Sequence, residues 1–428
     1  MPLVLKPYQH ENEQFGYSLD YPVSNQVYFD LENQPFIGSE HGIDTWRDGQ
    51  RVSSYFRTAV RSRIPSFEGI SFVTSSSKIA FDGDNDLYLV TSVDRQAALL
   101  HSTDRGSTFS AYLLKEQRDM HRAFDMEQFS GHNIPSGPPP VLCYRQTASD
   151  EQLRWRQIND LELLLPAKGD NRLLMGNPIL ISKQCIGLSA HSGIPSSLVS
   201  RGSKVHVIWA EATEPDAHVP GVPTYVATYD REEGKLGDPV LIGYGPPPND
   251  VHNSPSITMD SQGYLHVLVG THGQPFPYAR SLKPNDVYSG WTEVEDVGEG
   301  LRQTYIGLVC DPEDTLHLVF RLWFGGTEYF PAGNYGALCY QRKRPGEPWE
   351  EARPLIVPPF SEYSVYYHRL TMDRMGRLLL SYDYRSTYWF YQTDHLYQTY
   401  HRGNRRVLMM SGDGGDTWKL AETRDLLE

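Results

Sequence analysis

Residues 251–281 read VHNSPSITMDSQGYLHVLVGTHGQPFPYARS, and they contain one β-hairpin pattern. Ile257, Thr258 and Met259 lead into Asp260-Ser261-Gln262-Gly263, and residues 264–269 run back out. Asp and Gly suit that turn for different reasons. Asp bonds its own backbone, and Gly tolerates positive φ. His252 precedes the hairpin and His272 follows it. The flanks of a hairpin lie at one end, so these two histidines converge in space although twenty residues separate them. With Asn253 beside them, they mark a candidate site at an open sheet end.

Working outward, the same signature recurs. It appears at residues 27–38, 79–90, 198–209, 308–320 and 370–381, with a degenerate copy around residues 135–145. Neighbouring copies lie roughly 50 to 60 residues apart, a period that points to propeller blades. One such unit cannot bury both of its faces. Seven stacked around an axis can, leaving only short edges. The expected fold is therefore all-β: a seven-bladed β-propeller of four-stranded antiparallel blades, forming one domain over residues 1–428. The Pro-rich stretches 137–140, 245–250 and 358–359 read as loops entering a new blade, not as domain linkers. A strand closing the ring is expected from the first 26 residues or from the chain end.

Composition agrees with many short strands and tight turns. The 428 residues include 27 Tyr, 8 Trp, 36 Gly and 30 Pro. A formal charge of −14 argues against a nucleic-acid binder, which needs a basic surface. It leaves room for an anionic substrate held in a local Arg/His pocket. No apolar run is long enough for a membrane-spanning helix, so no membrane partner is expected. The start, MPLVLKPYQHENEQF, shows neither an apolar h-region nor a cleavage signal. This fits an intracellular protein, or a secreted one whose signal has been removed. The four cysteines form no CxxC pair, which argues against a disulfide framework.

Residues 102–109, STDRGSTF, and 411–418, SGDGGDTW, both fit S-x-D-x-G-x-T-aromatic. They resemble the Asp-box of sialidase-type propellers. In that motif Asp and Ser bond turn amides, Gly takes the strained position, and the aromatic packs between sheets. The motif bears on fold and is silent on catalysis.

Compared position by position, several hairpins carry titratable or aromatic groups at the same end. The 251–281 hairpin has His252 and His272. The preceding one has His191 and Glu211, the next has Tyr305 and Arg321, and the last has Tyr366, His368 and Arg385. A pocket built from these residues lacks the paired carboxylates that a glycosidase normally needs. It shows no oriented Ser or Cys nucleophile. β-Elimination from a uronic acid suits it better. An Arg neutralises the carboxylate, which acidifies the C5 proton. A His or Tyr removes that proton, and another group protonates the departing O4. Histidine has the right unperturbed pKa, whereas Tyr needs neighbouring cations.

The segments HNSPSITMDSQGYLHVLVGTHGQPFPYARS, QTYIGLVCDPEDTLHLVFR and YYHRLTMDRMGRLLLSYDYR resemble the BNR-repeat propellers that include ulvan lyases and other rhamnose-glucuronate lyases and hydrolases. The resemblance covers roughly residues 198–385 and is poor over the first third. In those lyases two active-site histidines twenty residues apart are followed by a Tyr and an Arg sixteen apart, the spacing of His252, His272, Tyr305 and Arg321. The resemblance implies that these four are catalytic: Arg321 neutralises the uronate carboxylate, His252 and Tyr305 are candidates for base and acid, and His272 binds or polarises substrate. His191, Glu211, Asn253, Tyr366, His368 and Arg385 are expected to bind substrate. The His pair sits later in the chain than in the family, which touches the substrate assignment more than the fold.

The expected substrate is an acidic oligo- or polysaccharide with rhamnose next to glucuronate or iduronate, cleaved by a monomer. No cofactor is required. Propeller lyases of this type can carry a structural metal, and Cys310, Cys339, His317 and His368 form a candidate Cys₂His₂ zinc set; a calcium ion in the channel is the other metal considered. Two alternatives stay open. One is a rhamnosidase on the same fold with Glu211 as acid. The other is a non-catalytic glycan-binding propeller.

Overall fold

The computed structural model describes residues 26–38, 42–59, 78–93, 96–115, 122–135, 137–153, 155–170, 172–188, 196–324, 335–357, 365–384 and 406–428. Among the described residues seven blade sheets, each with four principal antiparallel strands, follow one another along the chain, and a separate two-stranded hairpin pairs Pro166–Lys168 with Leu173–Met175. Their innermost strands are Val27–Phe29, Ile79–Phe81, Arg122–Met126, Leu198–Gly202, Ser256–Met259, Gln303–Cys310 and Val365–Met372. Those of blades five and six are buried at every position. Such strands face the channel on one side and the neighbouring blade on the other, so they lack the polar alternation of a half-exposed strand.

The cores lie between blades. Ile37, Trp46 and Val27 of blade one pack with Leu379, Leu408 and Leu426 of blade seven. The other six interfaces have equivalent clusters, in order from blades one and two to blades six and seven. Side-chain packing therefore joins the last blade to the first. Among the described residues each blade builds its four strands from its own stretch of chain; the last, Lys419–Leu420, comes from the chain end.

Most inner hairpins turn on an aspartate. Asp30, Asp82, Asp260, Asp311 and Asp373 each accept backbone N–H bonds from their own turn. The left-handed position three residues on holds Asn33, Asn85, Gly263, Asp314 or Gly376. The two Asp-box motifs sit between the third and fourth strands of blades two and seven. Asp104 accepts from the Thr108 N–H and hydroxyl, and Ser102 Oγ accepts from the Gly106 N–H. Asp413, Thr417, Ser411 and Gly415 repeat the pattern. Phe109 is buried between blades one and two, and Trp418 packs on the core of blades six and seven.

Blade three departs from the degenerate copy expected around residues 135–145. Its inner strand is Arg122–Met126, paired with Val141–Ser149. A long segment, residues 127–140, replaces the short turn. The described part crosses the turn end of the channel. Ser200 of blade four donates to the buried Glu127 carboxylate. His132 N donates to Met259 O in blade five, and Cys310 N in blade six donates to Ser130 O. Phe129 lies 3.9 Å from the Arg374 guanidinium of blade seven. The segment is a plug stitched to the surrounding turns.

Candidate functional site

The opposite end of the channel holds the site. Strand Val240–Gly245 leaves blade four and passes through a Pro-rich loop into blade five. Asn253, fully buried, clamps that loop with Nδ2 bonds of 2.7 and 2.8 Å to the carbonyls of Gly245 and Pro247. His272 N bonds Pro246 O. The clamped loop delivers Asp250 between the two histidines. Its Oδ1 is 2.6 Å from His252 Nδ1, and its Oδ2 is 2.7 Å from His272 Nδ1.

A carboxylate only accepts, so each Nδ1 carries the proton and each Nε2 is the basic position of the neutral ring. Burial pushes the Asp250 carboxyl up, but the bonds from His252 and His272 outweigh it and hold it well below the usual carboxylate range. The histidines differ in exposure: the His252 side chain is 5% exposed and that of His272 is 30%. Their ring centroids are 5.0 Å apart, and Trp155 packs edge-on to His252 at 4.5 Å.

Blade six supplies the other half. A bulge between Thr304 and Gly307 interrupts the pairing of strand Gln303–Cys310 with Leu316–Phe324. Tyr305 sits in it at φ 67°, a left-handed backbone that costs a tyrosine on the order of 1–2 kcal/mol. The bulge turns the ring toward His252, 6.0 Å between centroids. Arg321 stacks between two rings, its guanidinium 4.2 Å from Tyr305 and 4.6 Å from Trp323. Gly273 N bonds Gln303 O at 2.7 Å and ties the His272 loop to this strand.

The structure thus brings together His252, His272, Tyr305 and Arg321. It treats the expected substrate-binding residues differently. Asn253 Nδ2 is occupied with the loop, while its Oδ1 is buried without a hydrogen-bond partner among the described residues. His368 is buried, its Nε2 2.9 Å from Tyr305 O and 3.2 Å from Val319 O, and burial pushes its pKa down to about 3. It is a neutral donor that holds the Tyr305 bulge, not a group facing substrate. Glu211 Oε1 accepts from Trp209 Nε1 at 2.9 Å and Ser182 Oγ at 2.6 Å, which ties that oxygen to blades three and four. Tyr366 lies on inner strand Val365–Met372. His191 and Arg385 fall outside the described residues.

The expected zinc set does not assemble. His317 uses both ring nitrogens, on Tyr340 and Asp311, and Cys339 sits opposite Phe320 in the sheet. His368 is committed to the two carbonyls. Among the described residues two other groups converge: Asp250 with His252 and His272, and His132 with Cys310 and Asp314.

Sequence reasoning missed Asp250 and Trp155. The spacing Asp-x-His carried a signal for the first, since an Asp two residues before a histidine can reach its ring. Nothing in the sequence marked Trp155, which arrives from a blade-three loop.

Every member of this cluster except Trp155 lies in one continuous stretch of similarity. Residues 222–427 match the BNR repeat-containing family. This BNR-matching stretch runs from the third strand of blade four to the final helix. No curated protein matches the chain by sequence. Among solved structures, an ulvan lyase bound to a GlcA(1-4)Rha3S unit is 17% identical with a TM-score of 0.38, over 52% of each chain. This chain thus spans about half the length of that lyase. A protein of unknown function from Dyadobacter fermentans is 12% identical with a TM-score of 0.44, over 74% of this chain and 91% of the other. The Penicillium chrysogenum α-L-arabinanase is 11% identical with a TM-score of 0.42, over 83% and 95%.

Proposed function

We propose that this protein is a glycan-active propeller that cleaves a uronic-acid-containing polymer or oligomer by β-elimination. A glucuronate or iduronate next to rhamnose is the substrate class, and residues 1–428 act as one propeller domain in a monomer. The observation that carries the reading is the Asp250 bridge between His252 and His272, set against Tyr305 stacked on Arg321.

Arg321 brings a fixed positive charge to the uronate carboxylate, and His272, the more exposed imidazole, orients the sugar beside it. The negative charge that develops on the carboxylate as C5 loses its proton is thereby stabilised. His252 and Tyr305 form the proton-transfer pair. One takes the C5 proton, the C5–H electrons form the C4=C5 double bond, the C4–O4 bond breaks, and the other gives its proton to O4. Asp250 stabilises the imidazolium and keeps Nε2 as the working nitrogen. The hydrolase alternative takes Glu211 as acid; its Oε1 accepts from Trp209 and Ser182.

The test is product analysis in ¹⁸O-labelled water with ulvan and rhamnose-capped glucuronides. Elimination yields an unsaturated, unlabelled fragment one water lighter than its hydrolytic counterpart. A saturated fragment carrying the label would assign a hydrolase and overturn the reading.

A further inference from the structure

The plug at the turn end of the channel carries a second cluster, remote from the histidine pair in the fold. His132 reaches from the plug to the inner turn of blade six, where Cys310 and Asp314 lie. One ligand atom from each falls within 4.8 Å of the others. His132 Nε2 is 3.2 Å from Asp314 Oδ1 and 3.0 Å from the Asp311 carbonyl oxygen. Cys310 Sγ is 3.9 Å from that same carbonyl. Ligands on a tetrahedron with bonds of about 2.0–2.3 Å stand roughly 3.3–3.8 Å apart, so these spacings are close to those of a shared ion.

Three further features agree. Asp314 occupies a left-handed turn position that blades one and two fill with Asn33 and Asn85, so a carboxylate stands where those turns have an amide. Ser261 holds that carboxylate in place, its N–H 2.7 Å from Oδ1 and its hydroxyl 2.6 Å from Oδ2, the outer-sphere support a metal ligand requires. A cavity of about 470 Å³, lined in part by His132, Cys310 and Pro312, gives an ion a way in.

The geometry points to a site for a thiophilic divalent cation, zinc by its donor set, formed by His132 Nε2, Cys310 Sγ, Asp314 Oδ1 and the Asp311 carbonyl. Binding displaces the Cys310 thiol proton, shifts the His132 proton from Nε2, where it faces the Asp311 carbonyl, to Nδ1, and joins the plug to blade six, closing that end of the channel with a coordinate cross-link.

The experiment uses the full chain, stripped with chelator and titrated with Co²⁺ and then Zn²⁺. The expected result is one equivalent of Co²⁺ with a thiolate charge-transfer band and tetrahedral visible bands, displaced by Zn²⁺. Cys310→Ser abolishes the thiolate band, and Cys310→Ser and His132→Gln each weaken binding about 100-fold or more, while His272→Ala retains both band and affinity. Circular dichroism checks each fold, and His132→Gln, at a partly exposed position, keeps the test available if Cys310→Ser does not fold. Absence of the thiolate band in wild type overturns the proposal. So does binding lost in His272→Ala but kept in His132→Gln, which would place the ion at the other cluster.

Discussion

A carboxylate set between two imidazoles fixes both tautomers at once. Asp250→Asn keeps the shape but can offer each histidine a donor where an acceptor is needed, so kcat is expected to fall by about 10²–10⁴ with a smaller change in KM. The same variant has a stability signature. Asp250 titrates below its unfolded range, so the bonded carboxylate stabilises the fold fully above about pH 4 and loses that contribution as pH falls toward the folded value. Thermal melts of wild type and variant should differ most near neutrality and converge in acid. Tyr305→Phe isolates a different atom: the ring stays on Arg321 and only the hydroxyl is lost. Activity should drop by about 10² or more, with Tm unchanged to within about 2 °C. At this scale the sequence was partly legible. His252 and His272 could be paired because a hairpin brings its flanks together. Asp250 lay at the end of a run of prolines and read as part of a loop entering a new blade. His368 was misplaced because a bulge between Tyr366 and Arg369 shifts the register of its strand, and equal spacing along the chain cannot reveal such a shift.

Among the elements, the plug shows where a repeat stops being readable. Five inner hairpins share an aspartate turn and could be aligned by eye. Blade three exchanges that turn for residues 127–140, and the local hydrophobic pattern around 135–145 then suggested a strand pair in the wrong place. What fixes the plug is close backbone approach. A Cβ added to Gly131 would stand 2.5 Å from Met259 O and 2.6 Å from Thr258 Oγ1. Gly131→Ala should therefore cost about 1–3 kcal/mol, measured by urea unfolding. An equal stability for the variant would mean that the plug does not seat on blade five. The Asp-box turns were legible throughout, because their bonds are local and each residue type has one job.

For the whole molecule, the period of the hairpins announced seven blades, but the manner of closure was not written in any local pattern. It rests on Trp46, Ile37 and Val27 meeting Leu379, Leu408 and Leu426 across the first and last blades. Trp46 is 4% exposed, and Trp46→Ala should cost about 3–5 kcal/mol, seen as a lower denaturant midpoint. The proposed acidic substrate has to be held by an acidic protein. The net charge is −14, and Arg321 sets a guanidinium at the histidine end of the channel. The most direct measurement is ultraviolet absorbance during incubation with ulvan and rhamnose-capped glucuronides, for wild type and Asp250→Asn side by side. The account predicts a steady rise from the unsaturated uronyl product in wild type and a rate lower by about 10²–10⁴ in the variant. Equal rates in the two, or release of sugar with no rise in absorbance, would contradict it.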